Sequence, residues 1–149
     1  MDKECKRQIN ELNILWHEML MKSNYKDIQS KYSNIQGLST NELTIIKIIS
    51  QKEEVIIKDI LEVLNIPKST LTSIIDKLEK HNFIIRAISK RDRRSYKLEL
   101  TQKGKEVQDE HIRFEEEVYG KIMTSLDTYE EREDFLKLIR KIAANICCR

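Results

Sequence analysis

Residues 86–97 hold six bases, Arg86, Lys90, Arg91, Arg93, Arg94 and Lys97, against one acid, Asp92, a local charge of +5. Bases packed this densely repel one another unless an anion is at hand, and the chemistry they suit is the holding of phosphate. A merely solubilising loop is the bland alternative. A second set lies upstream, where Lys68, Ser69, Thr70, Thr72, Ser73 and Lys77 alternate at helical spacing with Leu71, Ile74, Ile75 and Leu78. Short hydroxyl side chains on an outward helix face can approach base edges, and lysines beside them suit phosphate contacts. The same face could be only a solvated helix surface, but the neighbouring basic stretch points to nucleic acid.

Other chemistries find no support in the residue pattern. His17, His81 and His111 lack a His-x-x-x-His or Cys-x-x-Cys companion, so neither a metal nor another cofactor is expected. Cys5, Cys147 and Cys148 are odd in number and lie at the chain ends, which suits reduced thiols rather than a disulfide framework. No nucleophile–base pair, glycine-rich phosphate loop or paired-acid motif is present, so no enzyme is expected. There is no apolar run long enough to span a membrane and no apolar segment near residue 1, which predicts a cytoplasmic protein. Of 149 residues, 40% are hydrophobic and 35% charged, with 3 Gly and 1 Pro, a composition for a helix-rich domain with short loops.

The elements that must position the two basic sets follow from periodicity. Ile9, Leu12, Trp16, Met19 and Leu20 predict an amphipathic helix over about 4–22, followed by an irregular connection over 23–37 with room for one helical turn. Ser39 and Glu42 form a capping-box pattern with Leu38 as staple, starting a helix at Thr40 that ends near Gln51. Residues 55–57 read as a minor strand and 58–64 as a brief helix. Asn65, Ile66 and Pro67 make a tight turn into a helix over 67–81. Asn82 ends that helix in the left-handed conformation. Residues 83–89 and 96–100 are strands around a mobile basic tip, 90–95. Thr101 caps a long helix with Val107, His111, Phe114, Val118 and Ile122 on one face. A final helix begins near Asp127 and runs to the end, carrying Phe135, Leu138, Ile139, Ile142 and Ile146.

This order of elements is that of a winged helix-turn-helix between interaction helices. The sequence resembles the MarR family of bacterial regulators over nearly its whole length. The most specific stretch is Asp92-Arg93-Arg94-Ser95-Tyr96-Lys97-Leu98-Glu99-Leu100-Thr101-Gln102-Lys103-Gly104, which is similar to the family's wing signature of Asp-x-Arg, a strand ending in Leu-Thr, and Gly three residues on. Leu38-Ser39 and Leu78-Glu79 with Phe83-Ile84-Ile85-Arg86 also match. Two positions depart: Asn82 stands where relatives usually have Gly, and Pro67 where many have a polar cap.

The resemblance implies a mainly α protein with a small β-hairpin wing. One domain is expected over 1–149, with the winged helix-turn-helix at about 38–101 and dimerisation helices at about 4–22 and 102–147. It implies a repressor that binds double-stranded DNA at a pseudo-palindromic operator as a homodimer and is released by a small ligand. Lys68, Ser69, Thr70, Thr72, Ser73 and Lys77 would face the major groove. Arg94 would enter the minor groove, with Lys90, Arg91 and Arg93 on phosphates. Asp92 would support the wing by pairing with Arg86 or Arg94. An aromatic ligand could sit between the dimer helices and the reading head, lined by Trp16, Met19, Leu20 and Tyr32; His17 and Trp16 are pocket or interface candidates. Two rival readings are a redox-sensing regulator using cysteine and a winged helix that serves only as a protein-docking module.

Overall fold

The computed structural model describes residues 2–146. Its elements run α1 (Lys3–Lys22), α2 (Tyr25–Ser30), a 3-10 turn (Ser33–Ile35), α3 (Thr40–Ser50), β1 (Val55–Ile56), α4 (Ile57–Val63), α5 (Lys68–Lys80), β2 (Ile84–Ile88), β3 (Tyr96–Leu100), α6 (Gln102–Thr124) and α7 (Tyr129–Asn145). The fold is mainly helical with a small antiparallel sheet, as the pattern of elements led one to expect. The connection over 23–37 is more regular than expected, holding α2 and the 3-10 turn. Compactness divides the chain into two units, Gln29–Phe114 and the chain ends Met1–Ile28 with Glu115–Arg149, each described in turn.

In the unit Gln29–Phe114 the sheet has the order β1-β3-β2, with Val55 opposite Leu98 and a β2–β3 register running from Ile84↔Leu100 to Ile88↔Tyr96. The helices pack Ile45, Ile46, Ile60, Leu71 and Ile75 into a core in which these side chains are fully buried. Each such side chain stabilises by about 1.5–3 kcal/mol relative to exposure. Ile74, expected inward, is only half-buried.

Local signals set the helix ends. Ser39 Oγ accepts from the Glu42 N–H at 3.2 Å and Glu42 Oε2 accepts from the Ser39 N–H at 2.7 Å, the reciprocal capping box. Pro67 proves to be the residue before the first turn of α5, with φ −59° and ψ 144°, rather than inside it. Asn82 adopts φ 62° and lets the chain turn from α5 into β2.

The join between β3 and α6 is tight. The Thr101 hydroxyl donates to the Asn82 carbonyl at 2.6 Å and accepts from the Gly104 N–H at 3.0 Å, and the Thr101 N–H donates to the Phe83 carbonyl at 3.1 Å. A Cβ on Gly104 would lie 2.1 Å from that same carbonyl oxygen. Glycine is required there because backbone, not a flexible side chain, fills the space.

In the unit of chain ends, α1 and α7 hold no buried residue. Trp16 is 53% exposed and Leu138 60%, and Leu12, Ile139 and Ile142 are exposed with them. α7 starts at Tyr129 because Thr128 caps it and Glu131 reaches back to the Thr128 N–H. Cys5 is a free, half-buried thiol; Cys147 and Cys148, and the last residue of the expected helical span to 147, lie outside the described residues. No helix among the described residues is long and apolar enough to cross a membrane.

Gly104→Ala is expected to cost at least about 1–3 kcal/mol, the usual range for forcing an extra methyl into a packed site. A urea denaturation midpoint equal to that of the parent would contradict this account of the β3–α6 join.

Candidate nucleic-acid interface

α5 displays Lys68, Ser69, Thr70, Ser73 and Lys77 as exposed side chains, with Thr72 partly covered. The first four lie in its opening turns, free of packing duties. The Thr72 hydroxyl donates to the Lys68 carbonyl at 2.9 Å, so its proton is held by the helix and its oxygen remains as an acceptor.

Lys77 is engaged differently. Its ammonium lies 2.8 Å from Oε1 of Glu42, whose side chain is only 3% exposed. Burial pushes the Glu42 carboxyl up, but hydrogen bonds from Lys77 and at Ser39 outweigh it and hold the group below the usual glutamate range. One carboxylate thus caps α3 and anchors α5. Sequence reasoning saw the cap and missed the anchor.

The wing is the turn between β2 and β3. Asp92 folds its tip by accepting from the Arg94 N–H and the Ser95 hydroxyl, each at 3.0 Å, while the Ser95 N–H donates to the Asp92 carbonyl at 2.9 Å. The expected guanidinium partner of Asp92 is therefore replaced by backbone and hydroxyl donors. Arg86 points instead to α5, with Nη2 2.5 Å from Asp76 and Nη1 on Glu79; its hydrogen bond to the Asp76 carboxylate chiefly raises its pKa. The reason is reach, because both acids lie one helical turn apart beside β2.

The tip, expected to be mobile, is tied at its root. The Ser89 hydroxyl, fully buried, donates to Glu54, and the Arg91 N–H donates to the same carboxylate at 3.0 Å. The Arg91 guanidinium donates to Asp59 at 2.8 Å, and Asp59 also accepts from the Ile56 N–H at 2.9 Å. Ser89 and then the Arg91 N–H lower the Glu54 carboxyl. Burial raises the Asp59 carboxyl, yet Arg91 and the Ile56 N–H bring it below its ordinary value. Glu54, Asp59 and Ser89 were not singled out from sequence, where no local pattern links them to the wing. The side chains of Lys90, Arg93 and Arg94 are exposed and make no ion pair among the described residues.

The four proposed ligand-pocket residues are distributed over different surroundings. In the unit of chain ends, Leu20 lines an open hollow of about 480 Å³ with His17, Met21 and Tyr25. Met19 lines another of about 610 Å³ with Ile122, Leu126 and Phe135. Trp16 borders neither of these two. Tyr32, in the other unit, packs edge-on against Phe114 with ring centres 5.9 Å apart.

A model of the MarR family matches residues 38–96. The HTH-type transcriptional regulator SarZ of Staphylococcus epidermidis is 28% identical over 120 residues, covering 78% of this chain and 81% of its own. Among solved structures, Streptococcus pneumoniae FabT in complex with DNA is similar with a TM-score of 0.71 and 24% identity, over 93% of this chain and 95% of that one. Bordetella bronchiseptica BpsR, whose DNA binding is regulated by 6-hydroxynicotinic acid, is similar with a TM-score of 0.60 and 18% identity, over 85% and 91%.

Glu42→Gln keeps a capping acceptor but loses the charge facing Lys77, and should lower stability by about 1–2 kcal/mol at neutral pH, discounted for the exposed ammonium. The folded pKa lies below the ordinary 4.5, so this contribution is complete above 4.5 and is lost as pH falls through the folded value. Urea midpoints of parent and variant should therefore converge in acid; a constant gap would remove Glu42 from this role.

Proposed function

Because the chain is a transcription regulator of the MarR family with a DNA-binding winged helix, we propose that it acts as a homodimeric repressor on a pseudo-palindromic operator in double-stranded DNA. The observation that carries this reading is the division among its bases. Lys68, Lys90, Arg93 and Arg94 are exposed and have no ion-pair partner among the described residues, and Lys68 adjoins the hydroxyl face of Ser69, Thr70, Thr72 and Ser73 on α5. In this reading α5 enters the major groove, where the hydroxyls meet base edges and Lys68 a phosphate. Arg94 enters the minor groove while Lys90 and Arg93 hold phosphates. Lys77 and Arg91, expected at phosphates from sequence, leave this set because Glu42 and Asp59 hold their heads.

The homodimer is supported by the apolar stripes of α1 and α7, which a single chain leaves in water. Two copies related by a two-fold axis would set their α5 helices about 34 Å apart, one turn of DNA. Release by a small aromatic ligand is supported by the apolar hollows around Leu20 and Phe135 and by the likeness to BpsR. A ligand that favours the DNA-free form must itself bind more weakly when operator is present.

Selection of bound duplexes from a random pool should recover an inverted repeat with half-site centres one turn apart; recovery of no preferred site would defeat the reading. On that duplex, Ser69→Ala, Thr70→Ala or Ser73→Ala should reduce discrimination against scrambled DNA by about 1–3 kcal/mol wherever a base contact is lost. Arg94→Ala should weaken binding to every sequence and lower the slope of log affinity against log salt by about 0.9. Unchanged affinity and slope would move the wing tip away from DNA. Leu138→Asp with Ile142→Asp adds charge where the single chain is already exposed, so sedimentation should show folded monomers. A dimer as tight as the parent would place the interface elsewhere.

A further inference from the structure

Resting on this reading of the protein as a DNA-binding regulator, we propose that Arg91 is a positioning residue, the arm of a latch that closes on Asp59 beside Glu54 and fixes where the wing tip stands. The β2–β3 ladder ends at Ile88↔Tyr96, and beyond it a hairpin tip can sway about its root. Here it is held at two points. Ser89 and the Arg91 backbone engage Glu54, and the Arg91 guanidinium engages Asp59. Both acids belong to the short segment around β1 and the first turn of α4. Ser89 passes the constraint into the tip, since its hydroxyl also accepts from the Asp92 N–H at 3.0 Å, and Asp92 in turn folds the backbone of Arg94 and Ser95.

Two physical arguments favour a latch over a phosphate contact. The Asp59 side chain is only 12% exposed, so an Arg91 that left it for DNA would strand a largely covered carboxylate without its cation. Two acids at the root of a phosphate-binding wing also work against attraction to DNA, which makes them costly unless they do something else. Fixing the tip before DNA arrives removes an ordering cost from binding, because Arg94 then approaches the minor groove already placed.

The two roles predict opposite results. Asp59→Asn keeps an acceptor for the Ile56 N–H but gives up the charge facing Arg91; Arg91→Gln changes an exposed side chain and carries the test if the first variant folds poorly. Binding would be measured by fluorescence anisotropy on the duplex selected from a random pool, at several salt concentrations, with circular dichroism as a control for folding. A latch predicts that each variant weakens binding by about tenfold, the loss of one charge-assisted hydrogen bond. The double variant should be no weaker than either single one, and the salt slope should stay that of the parent. Discrimination between half-site sequences, which α5 supplies, should persist, preference for A·T-rich flanks should fade, and Arg91→Lys should recover part of the loss. A phosphate role predicts instead that Arg91→Gln lowers the slope by about 0.9 and that Asp59→Asn tightens binding by freeing Arg91. Either result overturns the latch while leaving the regulator reading intact, whereas a parent that binds no duplex overturns both.

Discussion

The reading head depends on one strand, β3, having both of its edges paired. On one side it takes β1, which leads directly into α4; on the other it takes β2, which follows α5 through the left-handed turn at Asn82. Leu98, almost wholly buried, lies opposite Val55 on one edge and Arg86 on the other. The two helices of the helix-turn-helix and the wing are thereby referred to a common backbone, and hydrogen bonds across five residues set their relation. At its far end the same strand runs into Thr101 and Gly104, where the Phe83 carbonyl fills the place of a side chain. Lys103 closes this corner, with its ammonium on the His81 carbonyl and over the Phe83 ring.

Around that strand, charge is sorted by burial. Acids that are largely covered, Glu42 and Asp59, each hold a base that is about half exposed, Lys77 and Arg91. Such pairs fix orientation more than they add stability, because desolvation of the acid offsets much of the attraction. Arg86 is the reverse case, a mostly covered base shared by two more exposed acids on α5. Lys68 at the start of α5 and Lys90, Arg93 and Arg94 at the wing tip remain exposed without an ion-pair partner among the described residues. A modest net charge of +2 can therefore coexist with a strongly basic working face.

The chain ends obey a different constraint. α1 and α7 are amphipathic, yet neither fully buries a residue, and packing within one chain covers them only in part. Exposed i,i+4 pairs such as Arg7 with Glu11 and Lys22 with Glu18 are screened by solvent and add little. The exposed apolar stripes of α1 and α7 are the feature on which the proposed homodimer rests.

Sequence alone determined the features whose cause lies within one turn or one strand. The Ser39–Glu42 box, the left-handed Asn82, the Thr101 cap with Gly104 three residues on, and the apolar stripe of α5 each rest on side chains spaced to meet their own backbone. For the same reason the main elements and the exposed hydroxyl face of α5 were legible. Tertiary structure alone decided which bases are engaged in ion pairs and which are left without one. Lys77 meets Glu42 across 35 residues and Arg91 meets Asp59 across 32, separations at which no local spacing specifies a partner. Asp92 was expected to pair with a guanidinium, but the Arg94 N–H and the Ser95 hydroxyl of its own turn were nearer, and Arg86 was drawn to Asp76 and Glu79 once β2 lay beside α5. Local hydrogen bonds are set by chain geometry before the chain folds; ion pairs between distant residues form only when packing has brought their backbones together.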